Sequence, residues 1–187
     1  MSGAEVVATL LGLLGVGLMV RQHVWAWPVG IVQVTISAWV FWESRLYSDV
    51  VLQGFFLGLQ VYGWWAWTRG RGDAGAALAV TRLGRRACAG LTGVGLLATV
   101  AWGEGMRRLT DAALPHPDAF ILVFSVLAQW LQARKRLEAW LGWIVVNVVA
   151  VGVYATRGLF LFAGLYAVFL GLAVVGFRAW RRTEVRS

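Results

Sequence analysis

Residues 138–182 read EAWLGWIVVNVVAVGVYATRGLFLFAGLYAVFLGLAVVGFRAWRR, and no charged side chain falls between Glu138 and Arg157 or between Arg157 and Arg178. At 1.5 Å per residue, a run of about 20 uncharged residues crosses the ~30 Å hydrocarbon core of a bilayer as one helix. The stretch therefore predicts two membrane-spanning helices, 138–156 and 158–178, joined by a tight turn at Arg157. Working outward from it, residues 21–69 repeat residues 134–182 at an offset of 113, without a gap. Arg21 falls on Arg134, Trp27 on Trp140, Phe56-Leu57-Gly58-Leu59 on Phe169-Leu170-Gly171-Leu172, Gly63 on Gly176, and Ala66-Trp67 on Ala179-Trp180. Compositional bias would match Leu with Leu; matched Gly, Trp and Arg are not generic apolar filler.

The remaining spans fall at 4–20, 24–42, 49–67, 87–103 and 118–132, the fourth and fifth being short and interrupted by Gly or polar groups. Spans two and three pair with six and seven, so one and five are natural partners and four is left over. The expected fold is an all-α membrane protein of seven transmembrane helices: a first three-helix repeat (1–69), a basic loop and linker helix (70–117), a second three-helix repeat (118–182) and a short cytoplasmic tail (183–187). An odd linker gives both triplets the same orientation in the bilayer, and parallel repeats of this kind are a transporter signature with the substrate site near midplane.

Composition agrees, because 59% apolar and 14% charged residues in a chain of 187 exceed what a soluble core hides. The first span has no preceding Lys or Arg and no clear small-residue cleavage site, so it is read as a helix rather than a removable leader. Cys88 is the single cysteine, and no His, Cys or carboxylate cluster shows metal-ligand spacing, so neither a metal nor a cofactor is expected. The net charge of +8 points to the membrane rather than to nucleic acid, because the basic residues sit between apolar spans.

Sorted by side, Arg21, Arg69, Arg71, Arg82, Arg85, Arg86, Arg134, Lys135, Arg136, Arg178, Arg181, Arg182 and Arg186 fall together, against Arg45, Arg107, Arg108 and Arg157. Short basic loops stay in the cytoplasm, which places the N-terminus outside and the C-terminus inside. Trp25, Trp27, Trp64, Trp65, Trp67, Trp102 and Trp180 lie near predicted span ends, where an indole is expected to anchor at the interface.

Polar side chains at depth mark where a solute passes. Trp140, Trp143, Asn147 and Tyr154 share one face of span six, with Asn147 about 13 Å from Glu138 along the axis. Two indoles, an amide and a phenol suit a planar or cationic ring; the competing role is helix–helix adhesion through Asn147. Gln33 and Ser37 lie one turn apart in span two; Gln53 and Gln60 lie in span three, with Tyr62 and Trp64 nearby; Ser125, Gln129 and Gln132 form a stripe in span five. Each set lines a cavity or serves packing. Asp49, Asp118 and Glu138 sit at span beginnings, where capping is the expected role, and Gly54 with Gly58 permits close helix contact within or between protomers.

Trp27-Pro28-Val29-Gly30, Leu46-Tyr47-Ser48-Asp49 and Tyr62-Gly63-Trp64-Trp65-Ala66-Trp67 resemble the first half of the PnuC family of bacterial vitamin transporters. Glu138-Ala139-Trp140 and the Trp143, Asn147, Tyr154 series resemble its second half. The resemblance covers the chain except 70–117. It implies a SWEET-like three-one-three fold, an inner-membrane carrier for nicotinamide riboside working by facilitated diffusion with phosphorylative trapping, and a homotrimer. Relatives are thought to carry thiamine, riboflavin or nucleosides, so the substrate stays open between these. The expected partners are thus a small-molecule vitamin, the lipid bilayer and further copies of the chain. The expected substrate contacts are Trp140, Trp143, Asn147, Tyr154, Gln129, Gln33, Ser37, Gln53, Gln60 and Tyr62. A non-transporting assembly or receptor subunit, and an intramembrane enzyme, are the competing classes. The latter lacks a nucleophile and base at one depth, both histidines being expected in loops.

Overall fold

The computed structural model describes residues 3–43, 45, 47–69, 78–110 and 114–184, with backbone only for 47, 48, 49 and 51. Among these residues the chain folds as seven helices: α1 (Gly3–Val20), α2 (Ala26–Glu43), α3 (Tyr47–Arg69), α4 (Arg85–Leu109), α5 (Pro115–Ala133), α6 (Glu138–Thr156) and α7 (Phe160–Arg182). No strand occurs among them, only an isolated bridge between Thr81 and Arg136. By length and composition, α1, α4, α6 and α7 qualify as membrane spans. The others fall short because Trp, Tyr, Gln and, in α5, two prolines and His116 lower their hydropathy. His116 begins α5 rather than lying in a loop, its ring against Gly103 of α4. Arg71, Arg186, Leu46 and the side chains of Tyr47, Ser48 and Asp49 lie outside what is described.

Two compact units are present, one holding α1–α3 with Ala133–Lys135, the other α4–α7 with the preceding segment from Val80. In the first, α2 packs on both α1 and α3. Its centre is Trp27, fully buried, its ring filling the space where a Cβ on Gly63 would stand. Trp67 closes against it edge-on, with centroids 5.4 Å apart at 78°. In the second unit, α6 packs on α7 through the same device. Trp140 fills the space beside Gly176, and Trp180 meets it edge-on at 5.5 Å and 86°. An edge-to-face aromatic pair adds about 0.5–1.5 kcal/mol beyond area burial. The glycine is required because a side chain there would evict the indole. In both units the inner indole N–H is buried without a hydrogen-bond partner.

The repeat extends to the backbone. The described residues with positive φ are Gln22, Arg45, Lys135 and Gly158, and these form two equivalent pairs at the 113-residue offset, Gln22 with Lys135 and Arg45 with Gly158. Left-handed backbone is uncommon outside glycine, so its recurrence fixes the turns before the second and third helices of each repeat as equivalent. Trp27 and Trp180 correct the interfacial-anchor expectation, since both are wholly buried. Trp67 is half-buried, donating from Nε1 to the Ala133 carbonyl at 3.1 Å beneath the Lys135 ammonium, 4.4 Å from its ring centroid. Trp25, Trp64, Trp65 and Trp102 do expose their indoles. Gly54 and Gly58 have open space beside them, so the pair makes no close contact among the described residues.

Before α4, residues 78–84 form no helix, with Val80 buried and Thr81 in a bridge to Arg136. The Leu137 N–H donates to the Thr81 carbonyl, Arg136 Nη1 to the Arg82 carbonyl, and the Leu83 N–H to Glu138 Oε2 at 3.0 Å. Arg82 also pairs with Glu184. Glu138 thus fastens this strap; the cap residue of α6, Leu137, supplies no side-chain bond. Glu138→Ala should free the Leu83 amide and speed tryptic cleavage after Arg82 several-fold in membrane vesicles, because an N–H bond to a carboxylate contributes about 1.5–3 kcal/mol. Unchanged cleavage kinetics would assign the fastening to the backbone bonds alone.

Candidate functional site

In the α4–α7 unit, Asn147 is the middle residue of α6 and 4% exposed. Its carboxamide makes no hydrogen bond among the described residues. One turn earlier, Trp143 is half-buried, and its Nε1 donates to Gln132 Oε1 of α5 at 2.7 Å. That bond fixes the indole plane. Close packing of Gly142 on Ala128 sets the α5–α6 register, and in an antiparallel pair this brings Ser125, rather than Gln129, nearest the level of Asn147. Gln129 and Ser125 are both buried, so the α5 stripe expected from sequence faces inward. Trp140, by contrast, is committed to Gly176 and Trp180 and offers no open face.

Toward the other end of α6, Tyr154 stacks on Phe162 at 5.6 Å and on Tyr166 at 5.2 Å, and Tyr166 meets Phe169 edge-on. Tyr166 was not expected from the sequence. Its position is equivalent to Gln53 in the first repeat, so the identities gave no signal, although Phe162, Tyr166 and Phe169 at spacings of four and three mark an aromatic stripe on α7. Asp118 and Arg157 pair at 2.8 Å near this end.

In the α1–α3 unit, Gln33 Nε2 donates to Ser37 Oγ at 3.1 Å. The Gln60 carboxamide occupies the space beside Gly30, its Oε1 buried without a partner. Gly30 is equivalent to Trp143, and Gln60 to Ala173. The equivalent positions therefore differ in both members: a carboxamide packed over glycine in the first repeat, where the second has an indole and an alanine. Gln53 is half-buried, and Tyr62 stacks on Trp65 rather than on another candidate. At the Arg21 turn, Lys135 Nζ lies 3.3 Å from Gln22 Oε1, and burial pushes its ammonium below the ordinary lysine value.

Among the described residues no group of His, Cys, Asp or Glu is placed to hold a metal. The arrangement offers buried amides, an oriented indole and phenols, which recognise a ring bearing hydrogen-bonding substituents. It presents no nucleophile beside a base.

The family described as nicotinamide mononucleotide transporter matches residues 2–182. The nicotinamide riboside transporter PnuC of Escherichia coli K12 is 29% identical over 96% of this chain and 85% of its own. The riboflavin/roseoflavin transporter RibM of Streptomyces davaonensis is 28% identical over 95% and 84%. The crystal structure of the vitamin B3 transporter PnuC superposes with a TM-score of 0.75 at 23% identity, over 95% of this chain and 80% of that one, which establishes the fold. These relatives are transporters, not enzymes, and the chain belongs to the nicotinamide mononucleotide transporter family of multi-pass membrane proteins.

Proposed function

We propose that the chain carries nicotinamide riboside across the bacterial inner membrane by facilitated diffusion, with alternating access of two like-facing three-helix repeats and cytoplasmic phosphorylation trapping the solute. The observation that carries the reading is the carboxamide of Asn147, a buried residue at the middle of α6, one turn from the oriented Trp143 indole. Trp143 stacks on the cationic pyridinium, Asn147 bonds the carboxamide or ribose, and Tyr154 closes one end. Gln129 from α5, and Gln33, Ser37, Gln53, Gln60 and Tyr62 from the first repeat, supply hydroxyl contacts. Trp140 supports the indole face from behind.

The family description names a phosphorylated nucleotide, yet α6 carries no charge beyond Glu138 and α2 none before Glu43. A phosphate at depth needs cations, so the unphosphorylated riboside fits better. Labelled riboside should enter proteoliposomes and exchange against unlabelled riboside, while a hundredfold excess of the mononucleotide should compete little. Strong competition by the mononucleotide would overturn the choice. The similarity to RibM favours riboflavin as the second reading, and thiamine shares a cationic ring; competition by either in the same assay decides between them.

On the same reading the N-terminus lies outside and the C-terminus inside. In support, the Arg21 turn meets Lys135 within one unit, and Arg82 meets Arg136 and Glu184 within the other. The family resemblance extends the proposal to a homotrimer.

A further inference from the structure

Among the described residues, the N-terminal half of α4 holds no buried side chain. The buried residues of the helix are Gly95, Thr99 and Gly103, none of them before residue 95. At Gly95 an added Cβ would meet Leu127 at 2.9 Å and Phe124 at 3.0 Å, whereas at Gly90 and Gly93 it would meet nothing within 4 Å. Beside this half runs an open groove of about 570 Å³ lined by Arg85, Cys88, Ala89, Thr92, Gly93 and Leu96. The lining residues lie on one helical face and span about 16 Å along the axis, close to half of the ~30 Å hydrocarbon core.

Charge is concentrated at one end of the groove. Arg85 and Arg86 are exposed and make no ion pair or hydrogen bond among the described residues. The helix starts there at Gly84 without a side-chain cap, so its positive dipole end adds to the two guanidinium groups. From this juxtaposition we infer that the groove binds an anionic phospholipid. Its phosphate sits at Arg85 and Arg86, and one acyl chain lies along Ala89, Thr92, Gly93 and Leu96. A second copy of the chain fits the charge less well. Inserted in the same sense, it would bring its own basic end alongside, whereas a lipid phosphate neutralises the site.

The test uses the full chain, equilibrated in detergent with equal phosphatidylglycerol and phosphatidylcholine of matched acyl length and read by native mass spectrometry. Wild type should retain phosphatidylglycerol preferentially. R85Q/R86Q should lower its ratio to phosphatidylcholine about 25-fold, since each basic group near a bilayer surface contributes about a factor of five. R107Q/R108Q, whose arginines already pair with Glu104, should leave the ratio unchanged. Gly93→Leu, with open space for its side chain, should remove both lipids. Soluble glycerol phosphate should not displace the lipid. Equal loss in the two arginine pairs, displacement by glycerol phosphate, or a change in oligomeric mass with Gly93→Leu would each overturn the inference.

Discussion

Alanine at Gly176 should collapse the thermal stability of the protein, whereas alanine at Gly171, five residues earlier on the same helix, should leave it intact or slightly raised. A Cβ at Gly176 would stand 2.5 Å from two atoms of the Trp140 ring, while one at Gly171 meets nothing within 4 Å. Trp140 has no room to retreat, being 1% exposed and held edge-on by Trp180. Overpacking against a rigid ring typically costs about 1–3 kcal/mol, and more where the ring cannot shift. Gly63→Ala should behave alike, because Trp27 occupies the equivalent slot. Fluorescence-detected size-exclusion melting in detergent reads the outcome. Trp140→Phe should partly rescue Gly176→Ala, since the smaller ring withdraws from the overlap. Equal melting of the Gly176→Ala and Gly171→Ala proteins would show that the slot yields and that the repeat does not depend on it.

That slot also shows how far the sequence could be read. The matched pairs Trp27/Trp140, Gly63/Gly176 and Trp67/Trp180 announced a repeat, but identity alone does not say that the glycine exists to admit the ring. Interfacial statistics for tryptophan therefore pulled Trp27 and Trp180 toward water, when their packing partners hold them dry. The Gly30/Gln60 arrangement was illegible for the opposite reason. Its counterparts Trp143 and Ala173 differ in both members, which erases the identities by which a repeat is recognised. Periodicity located α6 with its Trp143 and Asn147 because a lone amide in an uncharged run is conspicuous. It did not reveal that Gln132 fixes the indole or that Glu138 reaches the Leu83 amide, since those bonds join residues on different elements. Tyr166 escaped for a related reason: a tyrosine among Phe and Leu reads as filler until Tyr154 is placed against it.

Asn147→Leu should abolish most riboside uptake while leaving the fold as stable as before. The substitution keeps the approximate shape of the side chain and removes a carboxamide that has no hydrogen-bond partner among the described residues. No protein group is orphaned by it, and an apolar side chain at the middle of a span is cheaper to bury. A solute that bonds to the amide loses that bond and leaves its own polar group unpaired, which costs about 1–3 kcal/mol, a rate loss of roughly five- to 150-fold. Trp143→Phe should act differently, because it keeps an aromatic face but orphans Gln132 Oε1, so stability and uptake should both fall moderately. The two readouts together separate recognition from adhesion. If Asn147 held helices together, Asn147→Leu would lower the melting temperature in step with uptake. If it contacts solute, uptake falls alone and the residual transport shows a raised half-saturation concentration for the riboside. Unchanged uptake with unchanged melting would leave Asn147 without either role and would remove the ground on which the substrate site has been placed at the middle of α6.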